Sequence, residues 1–300
     1  MELTQGKMFK FLKWIRDHIP LKVGIFFLFG LFLAGVVIGS WFQLRLDEIP
    51  LLKTHYPSIQ FSLEGDVNTW VLQKKRPTNW VSLGEVSPAA RNAIVVSEDW
   101  AFYEHSGIDI EQLKDAILES FLKGHLVRGA STISQQVARN VFLSQERTLS
   151  RKLREFLVTM RMESLLKKSR ILEIYFNIVQ FGFGIYGIRD AASNYFGKLP
   201  SELTAREGAF LAMLLPSPVR YAVSFREKRL TQYARQTIRS ILHKMEVAGY
   251  LDEHEYYKAL DEKFGWEQAT SLPSLMDQHF ENELEEESGD APLTIDSDDI

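Results

Sequence analysis

The sequence predicts a mainly α-helical protein that begins with a single N-terminal transmembrane helix. Residues 23–44 form an apolar run without a charged residue. Between residues 87 and 260, apolar residues recur with helical spacing, and the segments are bounded by capping residues, glycines and prolines. Sustained strand alternation is missing from this region. A length of 300 residues is ample for a buried core.

The apolar run at 23–44 predicts an uncleaved membrane anchor. At about 1.5 Å per residue, a helix of this length crosses a hydrocarbon layer of roughly 30 Å. A cleaved signal peptide has an apolar region of only about 7–15 residues. The segment before the run, residues 1–22, is basic, with Lys7, Lys10, Lys13, Arg16 and Lys22 against Glu2 and Asp17. The positive-inside rule therefore keeps residues 1–22 in the cytoplasm and places residues 45–300 outside it.

Charge is distributed unevenly along the chain. The net charge is −4, but residues 277–300 hold ten Asp and Glu and no Lys or Arg. The remainder therefore carries a charge of about +6, and residues 266–300 are predicted to be an acidic, disordered tail. Cysteine is absent, which excludes disulfides, thiol catalysis and cysteine metal sites. Nothing in the composition indicates nucleic-acid binding.

Residues 45–84 predict a stalk, and residues 85–265 a helical domain. The stalk contains several prolines and two short apolar runs, 59–63 and 80–83, which suggest a short hairpin. The domain opens with a helix that begins at Pro88 and runs into Glu98 and Asp99, because Ser87 is a good N-cap and proline suits the first helical position. Further helices are predicted at 110–126, 151–166, 171–179, 188–195, 205–215, 233–248 and 252–260.

Two of the following segments allow more than one interpretation. The amphipathic helix at 110–126 suits a core or a membrane surface, and its flanking basic residues favour the membrane. The run Phe181–Gly187 contains the spacing G-x-G-x-x-G. It follows a predicted helix, whereas a dinucleotide fingerprint follows a strand and opens a helix. The run therefore predicts a turn.

The pair Glu98-Asp99 is the first candidate for chemistry. It ends an apolar helix and is followed by aromatic residues, His105 and Gly107. A carboxylate among apolar neighbours loses hydration, which raises its pKa and makes it a candidate general base. The alternative is an ordinary solvated helix end, since acidic pairs are common on protein surfaces.

Two later segments carry polar groups in ordered patterns. Gly129-Ala130-Ser131-Thr132 opens a helix whose free N–H groups would stabilise an anion, although a simple hydroxyl cap has the same appearance. Glutamines and Arg139 follow on the same element. Further on, Arg151, Lys152 and Glu155 share one helix face. That face suits either a structural ion pair or a diphosphate site.

Four motifs in order resemble glycosyltransferase family 51, the peptidoglycan glycosyltransferases, and specifically their monofunctional membrane-anchored type. They are Glu98-Asp99-x-x-Phe102-x-x-His105-x-Gly107, Gly129-Ala130-Ser131-Thr132-Ile133-Ser134-Gln135-Gln136, Arg151-Lys152-x-x-Glu155 and Arg170-Ile171-Leu172-Glu173-x-Tyr175-x-Asn177. The resemblance implies a lysozyme-like α-helical glycosyltransferase domain with a small membrane-dipping jaw lobe, at about residues 108–128. Trp100 departs from the arginine that is frequent in the family.

The resemblance also implies a reaction. The substrate is lipid II, which is polymerised into linear β-1,4 glycan strands by inverting transfer with release of undecaprenyl diphosphate. Glu98 is implied as the base for the acceptor hydroxyl, and Glu155 as the second catalytic acid, at the diphosphate. The implied substrate-binding residues are Asp99, Ser131, Thr132, Gln135, Gln136, Arg139, Arg147, Arg151 and Lys152. Mg²⁺ or Mn²⁺ near Glu155 is left open, and no organic cofactor is implied.

The same resemblance predicts the surroundings of the enzyme. Its partners would be lipid II, the growing glycan chain, the membrane and proteins of cell division or elongation. It would lie in the bacterial cytoplasmic (inner) membrane as a single-pass protein, with its catalytic domain on the periplasmic side. Two alternatives are a lysozyme-like wall-cleaving hydrolase or lyase and a non-catalytic cell-wall scaffold. Ser-x-x-Lys occurs at 120–123 and 164–167, but within helices and without Lys-Thr-Gly, so no transpeptidase is predicted.

Overall fold

The predicted anchor and acidic tail lie outside the part of the chain that the structure describes. The structure, a computed structural model, describes residues 46–60, 69–123, 131–143 and 148–267, with a few isolated positions nearer the N-terminus. Among these residues, no helix is both long and apolar enough to cross a membrane. The chain divides into two compact units, Met1–Ile49 and Pro50–Ile300, and the second contains the elements discussed below.

The first long helix, α1, spans Pro88–Glu98, as predicted. The Ser87 hydroxyl accepts a hydrogen bond from the Ala90 N–H at 3.1 Å, so the cap satisfies one of the free donors at the helix start. Ala90, Ala93 and Ile94 are buried. The helix ends at Glu98, which therefore projects from the end of a rigid, buried element.

The described chain is mainly helical, which confirms the predicted class. The further helices are α2 Ile110–Lys123, α3 Ile133–Phe142, α4 Leu149–Leu165, α5 Lys168–Ile178, α6 Ile188–Phe196, α7 Ala205–Leu214, α8 Pro218–Tyr221, α9 Val223–Arg226, α10 Gln232–Val247 and α11 Glu253–Asp261. Where both bounds are described, the predicted helices agree to within a few residues. Helices α8 and α9 lie outside the predicted helices; Pro218 is the first residue of α8, a position at which a proline lacks no needed N–H.

Two antiparallel hairpins complete the described elements. Strand β1, Tyr56–Gln60, pairs with β2, Thr69–Gln73, and β3, Gln180–Gly182, pairs with β4, Ile185–Tyr186. The suggested strand at 80–83 is wrong. Trp80 instead turns its indole N–H to the Glu173 carboxylate at 3.0 Å. The glycine run is the β3–β4 turn, with Gly184 at φ 69°, so its interpretation as a turn is confirmed.

Helix α4 exposes four large apolar side chains and buries two polar ones, Glu155 and Thr159, on its opposite face. Its exposed side chains are Leu153, Phe156, Leu157 and Met160, and its buried ones are Glu155, Val158, Thr159 and Met162. Both sets follow the helical spacing i, i+3, i+4 and i+7. An apolar stripe thus faces outward, and the Glu155 carboxylate faces the protein interior on the same side of the helix as Val158 and Met162.

One face of α5 holds the stalk against the domain. Arg170 donates to the carbonyl oxygens of Leu52 at 2.9 Å and His55 at 2.8 Å. Asn177 exchanges two hydrogen bonds with the backbone of Val81, at 2.7 and 2.8 Å. Three polar residues of the fourth motif, Arg170, Glu173 and Asn177, therefore have structural partners in residues 52–81.

The core is centred on α7, which packs against α1 and α10. At Gly208 a Cβ atom would lie 2.5 Å from the Cα of Ala90, so the α1 and α7 backbones are in close contact there. An alanine in a free helix would be more favourable than glycine by about 1 kcal/mol. At position 208, however, the methyl group of alanine would clash with the backbone of Ala90, and this steric cost outweighs the gain in helix propensity.

We expect Gly208→Ala to lower the free energy of unfolding by about 1–3 kcal/mol, because the two helices must separate to admit a methyl group. Gly84→Ala is the matched control, since nothing lies within 4 Å of its Cβ position. Urea unfolding followed by circular dichroism measures both. Equal stability of the two variants would contradict the close approach of α1 and α7.

Candidate active site

A buried carboxylate, Asp99, connects the end of α1 to the start of α3. Asp99 is 1% exposed. Its Oδ1 contacts His105 Nε2 at 2.8 Å, and its Oδ2 accepts the N–H of Ile133, the first residue of α3, at 2.9 Å. The N–H of Gly107 donates to His105 Nδ1 at 3.0 Å, so the ring carries its proton on Nε2 and donates it to Asp99. Both Asp99 oxygens are therefore bonded to protein.

The turn after α1 is fixed at a second point. The Thr132 hydroxyl donates to the Gly107 carbonyl at 2.7 Å, and Thr132 and Gln135 form a reciprocal capping box. Gly107 has φ 96°, and a Cβ there would lie 2.8 Å from Glu163 and Thr159 of α4. Only glycine fits this position. The start of α3 and the turn after Glu98 are thus one rigid unit.

Glu98 has a raised pKa within this unit. Burial is the main cause, because it removes water from the carboxylate, and the neighbouring Asp99 charge adds to it. Two groups on α3 oppose the shift: the Gln136 amide donates to Glu98 Oε2 at 2.7 Å, and Arg139 contributes a positive charge. The Glu98 residue remains only partly buried. These are properties of a carboxylate that can take up a proton from a ligand.

The second acid, Glu155 on α4, lies fully buried between two cations. Lys152 Nζ contacts its Oε1, and Arg151 Nη1 contacts its Oε2 at 3.3 Å. Lys152 remains half-exposed and also donates to the Ser131 hydroxyl at 3.3 Å. The Nε of Arg151 is buried and has no hydrogen-bond partner among the described residues. The two positive charges of Arg151 and Lys152 outnumber the single negative charge of Glu155. The site therefore keeps a net positive charge that suits an anionic ligand.

Helix α3 joins the two acidic centres. Gln136 of α3 contacts Glu98, and Ser131, just before α3, contacts Lys152. The predicted residues Asp99, Ser131, Thr132, Gln135, Gln136, Arg139, Arg151 and Lys152 all belong to this connected arrangement. Arg147 lies outside the described residues. Asp99, Thr132 and Gln135 are at most 6% exposed, so their bonds serve the turn and the helix start; their contact with substrate stays a prediction.

A third charged cluster was not predicted. Glu163 of α4 accepts from Ser134 of α3 at 2.5 Å and from Lys168 of α5 at 2.7 Å. Lys168 also lies 4.5 Å above the ring of Phe102, which is buried in the turn. The cluster ties three helices together behind the candidate site. In the sequence, Glu163 and Lys168 look like ordinary helix-end charges, and only the packing of α3 on α4 and α5 brings them together.

The described residues offer no obvious cation site. Among them, no group of three or more Asp, Glu or His lies close enough together to hold a metal ion. Glu155 is engaged with Arg151 and Lys152, and a divalent cation there would be repelled by both. The donor set near Glu155 therefore does not fit Mg²⁺ or Mn²⁺ by itself, and no step below depends on a metal.

Comparison with known proteins gives the family. The sequence model of the transglycosylase family matches residues 64–246, and the chain belongs to that family. It is an enzyme of the glycosyltransferase class. It is 41% identical over 225 residues to the biosynthetic peptidoglycan transglycosylase of Paraburkholderia phytofirmans, covering 72% of this chain and 91% of that protein. The Shewanella oneidensis protein of the same name is 41% identical over 192 residues, covering 64% of this chain and 82% of that protein.

Longer relatives match over part of their length. Penicillin-binding protein 1A of Escherichia coli is 35% identical over 228 residues, which are 74% of this chain and 26% of that protein. A crystal structure of penicillin-binding protein 1A from Haemophilus influenzae aligns with a TM-score of 0.34 and 17% identity, over 79% of this chain and 25% of that chain. The family match at 64–246 overlaps the domain predicted at 85–265.

The raised pKa of Glu98 predicts a pH-dependent stability. A carboxyl whose pKa is higher in the folded chain than in the unfolded one destabilises the fold once it ionises. The penalty is absent below the ordinary value of 4.5 and grows as the pH rises to the folded pKa. Glu98→Gln removes this titration. We therefore expect the free energy of unfolding of Glu98→Gln, relative to that of the parent, to be higher at pH 7.5 than at pH 4. Urea unfolding at both pH values measures this difference between the two proteins. The same difference at both pH values would contradict the raised pKa.

The Asp99 bridge predicts a local loss of stability in Asp99→Asn. One side-chain oxygen can still accept from Ile133, but the amide N–H₂ then faces the Nε2–H of His105, which is also a donor. The loss should be about 1–3 kcal/mol of unfolding free energy. Asp109→Asn is the control, because Asp109 accepts from the Gln112 N–H at 2.9 Å at the start of α2 and asparagine caps equally well. Similar losses in both variants would refute the bridge.

Proposed function

We propose that this enzyme polymerises lipid II into the linear β-1,4 glycan strands of peptidoglycan. The observation that carries the proposal is the pairing, across α3, of a carboxylate of raised pKa with a cationic face. The relatives named above as peptidoglycan transglycosylases support the choice of substrate. A reaction that deprotonates a hydroxyl and expels a diphosphate requires both features.

Glu98 acts as the general base in this proposal. It takes the proton from the 4-hydroxyl of the acceptor sugar as that oxygen attacks the anomeric carbon of the growing chain. The new C–O bond forms on the face opposite the departing diphosphate, so the configuration inverts. Gln136 holds Oε2 of the carboxylate at 2.7 Å, which leaves Oε1 for the incoming proton.

The leaving group is undecaprenyl diphosphate, whose negative charge grows as the anomeric C–O bond breaks. Lys152 and Arg151 stabilise that charge, and the buried Glu155 fixes the position of both cations through its two oxygens. A buried carboxylate that orients cations makes the site pre-organised before the substrate arrives. Whether Mg²⁺ or Mn²⁺ adds to these cations is decided by assaying the enzyme with and without chelator.

The proposed substrate also places the enzyme at a membrane. The apolar run at 23–44 supports a single-pass anchor in the cytoplasmic membrane, with the catalytic domain on the periplasmic side. Exposed apolar side chains on α4, and Ile110, Leu113 and Leu118 on α2, support a jaw lobe that contacts the lipid surface. A lipid-linked substrate would then enter from the bilayer.

We expect Glu98→Gln to reduce glycan synthesis from lipid II by at least about a hundredfold, because the neutral amide cannot accept the proton. Gel analysis of fluorescent lipid II measures chain formation, and circular dichroism verifies folding. The matched control is Glu104→Gln, since Glu104 is exposed in the same turn and should leave the rate near that of the parent. Polymerisation by Glu98→Gln at the parental rate would refute the role of the base.

The same assay separates the two alternative functions. A wall-cleaving hydrolase or lyase would shorten preformed glycan strands, whereas a polymerase leaves them intact and lengthens chains only from lipid II. A non-catalytic scaffold would do neither, and complementation by the Glu98→Gln variant would then equal that by the parent. The proposal requires synthesis from lipid II together with failure of the variant.

A further inference from the structure

The hydroxyl of Tyr175, on α5, is buried without a hydrogen-bond partner. Tyr175 is fully buried, and its oxygen has no partner among the described residues that meets hydrogen-bond geometry. A buried hydroxyl without a partner is less favourable than a bonded one, because it has lost its hydrogen bonds to water and gained none in the protein. Phenylalanine would fill the same volume without that penalty. The oxygen therefore needs an explanation other than packing.

The periodicity of α5 separates Tyr175 from the rest of its motif. Arg170, Glu173 and Asn177 lie on the face that holds the stalk, as their spacing of three and four residues requires. Tyr175 lies two residues from Glu173 and points away from that face, towards α3, against which α5 packs. Its side chain thus faces the candidate active site instead of the stalk.

The groups near the Tyr175 hydroxyl are those of the proposed base. Glu98, Arg139 and Asp99 all act electrostatically on the phenol, and Glu98 and the burial both keep its proton in place. The pKa of Tyr175 is consequently well above its ordinary value of 10, so the group is an O–H donor at any working pH. An O–H directed at a carboxylate favours the ionised form of that carboxylate.

Other charges around Glu98 are accounted for. Asp99 is on its own turn, and Gln136 and Arg139 are on α3. Helices α7 and α10 also pack against α1, and two acids there have partners of their own: Glu207 pairs with Lys198 at 2.7 Å, and Glu246 with His243 at 3.2 Å. The hydroxyl is therefore the polar group that α5 adds to the surroundings of Glu98.

We infer that Tyr175 is a positioning residue of the base: its buried hydroxyl donates to the ionised Glu98 carboxylate and holds it ready to accept the proton of the sugar hydroxyl. The bond tightens when the carboxylate settles in the substrate complex and relaxes after the proton is taken up. This inference rests on the proposed function. Tyr175 acts through Glu98 and does not contact the substrate.

The test is the pH profile of kcat/KM for lipid II in Tyr175→Phe. Loss of a hydrogen bond to a charged group should move the acidic limb upward by about one pH unit. At a pH below the limb the rate then falls about tenfold, and at high pH it returns to the parental plateau with KM unchanged. Tyr195→Phe is the matched control, because the Tyr195 hydroxyl is buried and donates to the Phe181 carbonyl at 2.8 Å. It should lower the melting temperature and leave the limb in place.

Different failures are distinguishable. If Glu98→Gln is inactive and the limb of Tyr175→Phe does not move, the inference about Tyr175 is wrong and the base stands. If the Glu98→Gln variant is active, Glu98 is not the base, and the inference about Tyr175 is wrong as well. An equal limb shift in Tyr195→Phe also overturns the inference. Should Tyr175→Phe not fold, 3-fluorotyrosine at position 175 gives a more acidic donor and must shift the limb downward; an unmoved limb there is equally decisive.

Discussion

The candidate site depends on one buried interaction, the Asp99 carboxylate shared by His105 and the N–H of Ile133. It lies one residue after Glu98 and fixes the end of α1 to the start of α3. The negative charge of Asp99 is favourable at the N-terminus of α3, and its second oxygen accepts the ring proton of His105. Without this anchor, the turn from 99 to 107 would be free to move the carboxylate of Glu98 away from Gln136. The two acids therefore differ in role: in the proposed mechanism Glu98 takes up the proton, and Asp99 fixes the position of Glu98.

At both Glu98 and Glu155, burial disfavours the ionised carboxylate and neighbouring positive charge favours it. At Glu98, desolvation raises the pKa, while Gln136 and Arg139 counter it, so the group stays able to ionise and able to bind a proton. At Glu155, two cations compensate a fully buried carboxylate. A buried ion pair adds little net stability, because desolvation offsets the attraction. Its value here is geometric: the carboxylate presents Lys152 and Arg151 in fixed positions, as an anionic leaving group requires.

The helices and a few features of the candidate site were predictable from short spacings, whereas the full set of candidate residues was implied only by the family resemblance. Ser87, Thr132 and Glu155 are recognisable from caps and from i+3 and i+4 neighbours. Long-range contacts were not predictable in this way. The Glu163–Lys168 cluster, the Arg170 bonds to the stalk and the approach of Gly208 to Ala90 join residues that no local pattern relates. The outward apolar stripe of α4 was not predictable for a related reason, since periodicity gives two faces without saying which one is buried.

Helix α5 shows how one motif can serve two separate tasks. Its polar residues at 170, 173 and 177 hold the stalk, while residue 175 lies on the opposite side, towards Glu98. Because a helix is stiff, the stalk and the neighbourhood of the base are mechanically one element. Residues 52–81 are thereby held by hydrogen bonds to the helix that borders Glu98. The position of the candidate site relative to residues 52–81 is thus set by α5.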